Sequence, residues 1–192
     1  NEFVANAFLA CFTVGIGLGS MATNMLLKGH VSPRLVPLAS VMMSVFLIDL
    51  YFSAGRVTGF FADRQNVPPS EFFAHFGTWH VGIDLAATAF FGGIYAVPLN
   101  AIMQTRAPRS KRSRVIAGNN ILNSLFMIAA TAISAIMLQF VTVRTLFFLL
   151  AFANLIAAAM AIKLVPPELL GAVLRFVFRL GSRVEVKGLE HY

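Results

Sequence analysis

Residues 3–27 run for 25 positions, and residues 115–143 for 29, without an Asp, Glu, Lys, Arg or His. A helix needs about 20 apolar residues to cross roughly 30 Å of hydrocarbon, so each run is long enough to span a bilayer. Three further runs follow the same rule. Residues 35–55 hold one acid, Asp49; residues 81–105 hold one acid, Asp84; residues 145–162 are 18 uncharged positions. Little more than Arg144 separates the last two runs, and together they are too long for one crossing. A tight turn near residues 139–144 is therefore expected. The runs lack the period-2 alternation that a membrane barrel requires. The sequence thus predicts an all-α, polytopic membrane helix bundle. Its five spans lie at about residues 3–27, 35–55, 80–105, 115–139 and 145–164.

Composition agrees and excludes other classes. Hydrophobic residues make up 58% of the 192 residues and charged residues 12%, against roughly 45–50% and about 25% in soluble domains. Mean hydropathy is +0.77. Disorder and an ordinary soluble enzyme are excluded together. Nineteen Phe against one Trp suit a lipid-facing surface, and the single Cys11 leaves no disulfide to form within the chain. The net charge of +7 does not read as a nucleic-acid signal, because the basic residues sit between apolar runs. The bilayer is the expected partner.

Lys and Arg set the orientation, since they concentrate on the cytoplasmic side. One side of the five-span arrangement receives Lys28, Arg34, Arg106, Arg109, Lys111, Arg112, Arg114, Lys163, Arg175, Arg179, Arg183 and Lys187. The other receives only Arg56, Arg64 and Arg144. Twelve against three places the first residues outside and the last residues in the cytoplasm. The chain starts at Asn1 rather than Met and stops in a polar stretch, so both ends read as cuts through a longer protein.

Residues 52–79 form the one sizeable outer loop. Pro68-Pro69 interrupts any continuous helix there, and a short surface helix is expected over residues 70–76. Phe60, Phe61, Phe72, Phe73 and Phe76 are placed to rest on the interface. After the fifth span, Pro166-Pro167 opens an amphipathic basic helix carrying Arg175 and Arg179 on one face, of the kind that lies on an anionic membrane surface. Packing on a downstream domain is the alternative. Residues 183–187 alternate and read as a first strand.

Few residues carry chemistry. Gly15, Gly17 and Gly19 provide small-residue spacing for close helix packing in lipid. Asp49 and Asp84 are the acids within spans. Antiparallel spans place them at similar, shallow depth near the outer face. They form either a proton or head-group site, or an interface pair with Arg56, His80 or lipid head groups. His80 with Asp84 is too shallow and solitary to make a site by itself. Asn24, Asn100, Gln104, Asn119, Asn120 and Asn123 lie toward the inner ends of spans. They either bond across helices or meet a polar substrate group. The loop with Arg106, Arg109, Lys111, Arg112 and Arg114 marks the cytoplasmic membrane surface. No HExxH, GxSxG, Walker loop or Cys/His metal cluster occurs, so no catalytic residue, cofactor or metal is expected in this segment.

Gly92-Gly93-Ile94-Tyr95-Ala96-Val97-Pro98-Leu99-Asn100-Ala101-Ile102-Met103-Gln104, followed by the basic loop and Ala117-Gly118-Asn119-Asn120, resembles the tenth and eleventh spans of bacterial lysophospholipid transporters of the major facilitator superfamily. The Gly15–Ser20 cluster resembles part of their eighth. The resemblance covers about residues 3–165 and implies spans eight to twelve of twelve. In that family the eleventh span carries an acid past its middle; residues 121–135 here hold none. Residues 174–190 (LRFVFRLGSRVEVKGLE) resemble the opening of glycerolipid acyltransferases of the 2-acylglycerophosphoethanolamine type, fused behind such transporters. Their His-x4-Asp motif has no match at His30, His75, His80 or His191. The resemblance implies a transporter domain over residues 1–165 and the start of an acyltransferase domain over residues 166–192. It further implies a bacterial inner-membrane protein that moves lysophospholipid inward for re-acylation. The N-terminal half of the same transporter and the downstream acyltransferase domain are its implied partners. A facilitator for another amphiphile or drug, and a membrane anchor for a phospholipid acyltransferase, are the alternative readings.

Overall fold

The computed structural model describes residues 2–27, 30–62 and 67–164. The amphipathic helix and strand expected over residues 166–192, with Arg175 and Arg179, lie outside the described residues. Within them the chain is all-helical. Helix α1 spans Glu2–Leu27, and a single 3₁₀ turn, Pro33–Leu35, leads into α2, Val36–Phe60. A short α3, Pro69–Ala74, precedes α4, Phe76–Arg106; α5 is Arg112–Met137 and α6 is Val143–Leu164. Five of these are long and apolar enough to cross a membrane. In lipid a helix satisfies every backbone group within itself, which is why uncharged runs of this length fold this way. The chain is a membrane-embedded helical bundle.

The helices outrun the apolar stretches that predicted them. Helix α2 continues past Arg56 to Phe60, α4 begins at Phe76, and α5 begins at Arg112. A charge ends the hydrocarbon-compatible stretch without ending the helix, and Pro98 inside α4 does not end that helix either. The 31 residues of α4 reach roughly 46 Å at 1.5 Å per residue. That exceeds the roughly 30 Å hydrocarbon core. The short helix expected at residues 70–76 appears as Pro69–Ala74, and the turn expected near 139–144 closes through Gln139 and Phe140. Thr78 Oγ1 donates to the Phe72 carbonyl at 2.7 Å, and Trp79 Nε1 donates to the Phe73 carbonyl at 2.9 Å. These bonds fasten α3 back onto the first turn of α4.

Helix α4 is the centre of the bundle, packed on both α1 and α2, while α2 also carries α6. Between α1 and α4 the contact is backbone to backbone. A Cβ on Gly15 would collide with the Ala86 carbonyl, one on Gly19 with the Phe90 carbonyl, and one on Gly93 with the backbone of Ile16 and Ser20. Gly17 has nothing within 4 Å of such an atom. Two residues along a helix turn the side chain by about 200°. Among the described residues Gly17 therefore takes no part in the α1–α4 contact. Two apolar clusters fill the rest of the core: Leu27, Leu35, Ala39 and Ile94 toward one end, and Leu50, Val57 and Val81 toward the other.

Helix α6 buries Ala151 and Ala158, and from the same side Asn154 reaches α2. Asn154 Nδ2 donates to the Ser40 carbonyl at 2.8 Å and to Ser44 Oγ at 3.0 Å. Ser40 Oγ donates to Asn154 Oδ1 at 3.4 Å. Helix α5 buries no residue at all.

Candidate functional site

Asp49 and Ser53 are one turn apart on α2, and His80 and Asp84 one turn apart on α4, so each pair shares a helix face. The antiparallel α2–α4 contact brings the two faces together. His80 Nε2 lies 3.0 Å from Asp49 Oδ2 and 3.7 Å from Asp84 Oδ1. Ser53 Oγ donates to the other Asp84 oxygen, Oδ2, at 2.6 Å. The cluster grades from wet to dry. The Asp49 side chain is 42% exposed, that of His80 32%, and that of Asp84 2%.

The matched depth expected for the two carboxylates is thus a side-chain cluster with an imidazole between them. Two expectations need correction. Asp84 is not at a wet surface, because α2 closes over it. His80 and Asp84 are not solitary either, because Asp49, 31 residues earlier in sequence, completes the group. Among the described residues neither carboxylate meets a Lys or Arg. Arg56 is exposed. Arg144 lies on the opposite face of α2, its guanidinium over the Tyr51 ring and against Gly55. Asp49, His80 and Asp84 each offer one ligand atom, all within 4.8 Å of one another. Among the described residues they are the group whose geometry could hold a metal ion, a group that no Cys/His spacing in the sequence marks.

One turn further toward the C-terminal end of α2 the surroundings become apolar. A cleft of about 240 Å³ is lined by Phe8, Ala54, Val57, Phe61, Phe72 and Val81. It adjoins a wider one of about 620 Å³ that shares Phe8, Phe61 and Phe72 and adds Val4, Val67 and Pro68. Phe61 and Phe72 stack at 5.4 Å, and Phe8 meets Phe72 edge-on. These rings line the two clefts, whereas Phe76 stands 84% exposed.

The six amides behave differently from the cluster. Asn24, Asn100, Gln104, Asn120 and Asn123 are exposed and Asn119 is half-buried. None has a side-chain hydrogen bond among the described residues, so the expected bonding across helices is absent within this set. Asn154 makes that kind of bond instead. Asn24 borders a small cleft of about 100 Å³ at the opposite end of the bundle from the cluster, with Thr23, Leu27, His30, Val97 and Pro98. Arg106, Arg109, Lys111, Arg112 and Arg114 are all exposed around the α4–α5 connection.

The fold and site define a polytopic helical membrane protein with a carboxylate–imidazole cluster at the α2–α4 contact. No protein family, curated protein or solved structure is found to match the chain.

Proposed function

We propose that this chain forms one wall of a facilitator-type transporter that carries lysophospholipid toward the cytoplasmic leaflet of a bacterial inner membrane, where it is re-acylated. The observation that carries this reading is the set of amides on α1, α4 and α5 that have no partner among the described residues. Exposed amides at the ends of spans take their hydrogen bonds from head groups, from a water-filled route or from further protein, since an unsatisfied polar group in hydrocarbon costs several kcal/mol; the transporter reading assigns them to the route. Helix α5, which buries nothing, needs the same facing wall. In the transporter reading that wall is the N-terminal half of the molecule, and the two halves rock about a central substrate site. The outer apolar clefts suit an acyl chain, and the amides suit a phosphate or glycerol hydroxyl. The bias of basic residues puts Asn1 outside and the α4–α5 loop in the cytoplasm.

The test is uptake of labelled lysophosphatidylethanolamine into right-side-out vesicles containing the whole protein. Saturable, protein-dependent uptake is expected. Asn120→Leu with Asn123→Leu should lower it without lowering the amount of protein in the membrane. Uptake of an unrelated amphiphile alone would replace the substrate. No uptake of either, in vesicles that still acylate lysophospholipid, would reduce these helices to an anchor.

A further inference from the structure

We propose that Asp49, His80 and Asp84 form a binding site for a divalent transition-metal cation of the zinc class, clamping α2 to α4 at the outer end of their contact. The inference does not depend on the transport reading.

Three observations combine. First, the donors are of the right kind and number. One imidazole nitrogen and two carboxylate oxygens are a mixed set suited to Zn²⁺ or Co²⁺, and three protein ligands leave a fourth position for water. Calcium would need six to eight oxygens, more than this cluster offers.

Second, the spacing fits. Ligands about 2.0–2.1 Å from a tetrahedral ion stand about 3.3 Å from one another. His80 Nε2 stands 3.0 Å from Asp49 Oδ2 and 3.7 Å from Asp84 Oδ1, values that bracket that separation, and the three ligand atoms all lie within 4.8 Å of one another, so closing on an ion takes a small side-chain adjustment.

Third, among the described residues the one cationic partner of the two carboxylates is His80, which carries charge only when protonated. Two carboxylates lie at one contact within spans, one of them nearly fully buried, and no Lys or Arg among the described residues meets either. Acids inside spans are costly unless paired, and a doubly charged cation cancels both at once.

Ser53 supplies the outer support common to metal sites. Its hydroxyl holds Asp84 Oδ2 at 2.6 Å, which turns Oδ1 toward His80.

The experiment is calorimetric titration of the whole purified protein, tag removed, with Zn²⁺, and visible absorption with Co²⁺. A single saturable site is expected, with the Co²⁺ band of low-coordinate nitrogen–oxygen ligation. Ser53→Ala should weaken Zn²⁺ about 10–100-fold, the range for loss of a supporting contact. His80→Ala should abolish the Co²⁺ band. Asp49→Asn and His80→Gln alter the half-exposed members, so they test the site even if Asp84→Asn does not fold. Absence of saturable Zn²⁺ binding by the unaltered protein would overturn the proposal. So would binding by the His80 variants as tight as the unaltered protein's. Neither result depends on whether lysophospholipid is moved.

Discussion

The guanidinium of Arg144 lies 4.1 Å above the centre of the Tyr51 ring. Arg144 opens α6 and Tyr51 lies on α2, so this contact fixes the end of the α2–α6 pair at which α6 begins. Gly55, one turn further along α2, leaves room for the guanidinium; a Cβ there would approach it to 2.8 Å. A cation over an aromatic face contributes about 0.5–2 kcal/mol, more as water is excluded. Tyr51→Leu should lower unfolding stability in detergent by about that amount, and Tyr51→Phe by less. Equal losses for Leu and Phe would mean that the hydroxyl, not the ring face, matters.

The glycines of α1 are not equivalent. Gly15→Leu and Gly19→Leu each drive a side chain into the α4 backbone, and both should cut the yield of monodisperse protein in size-exclusion chromatography. Gly17→Leu should leave the yield unchanged, since its direction is open. A loss at Gly17 equal to that at Gly19 would remove the packing assignment.

Asn154 is the polar clamp between α6 and α2. Interhelical hydrogen bonds in membranes average about 0.6 kcal/mol and reach about 1.7. Asn154→Ala should fall toward the upper end, because it leaves Ser40 and Ser44 facing a gap. Ser44→Ala should cost less, since only one of the clamp's bonds ends on its hydroxyl. Thermal unfolding in one detergent compares the two directly.

Topology has a labelling test. With Cys11 replaced by Ser, a cysteine at Ser70 should react with an impermeant thiol reagent added outside intact cells, and one at Ser110 should not. Both positions are exposed, so failure to react reports the side of the membrane. The reverse pattern would invert the orientation and move the α4–α5 loop outside.

Apolar runs with at most one charge made the five spans legible, and Pro68-Pro69 marked the short helix before α4. The helix ends were less legible, because Arg56 and Arg112 sit inside helices whose apolar runs stop short of them. The acids were found, since any carboxylate within a span stands out. Their imidazole partner was only half found. His80 was visible as a neighbour of Asp84, but the packing that buries Asp84 and adds Asp49 joins positions 31 residues apart. Asn154 was overlooked although Ser40 and Ser44 on α2, one turn apart, form a matching polar face. Amides clustered at span ends drew the attention that a lone amide inside α6 did not.

Gly15, Gly19 and Gly93 have a mechanical consequence. Packed helices shear past one another by letting side chains change rotamer. Where two backbones touch, there is no such compliance, and sliding would meet carbonyl oxygens within a fraction of a residue step. Helices α1 and α4 therefore move as one lever. Relative movement is then expected where side chains still separate the helices, at the α2–α4 and α2–α6 contacts and around α5, or at Pro98 within α4.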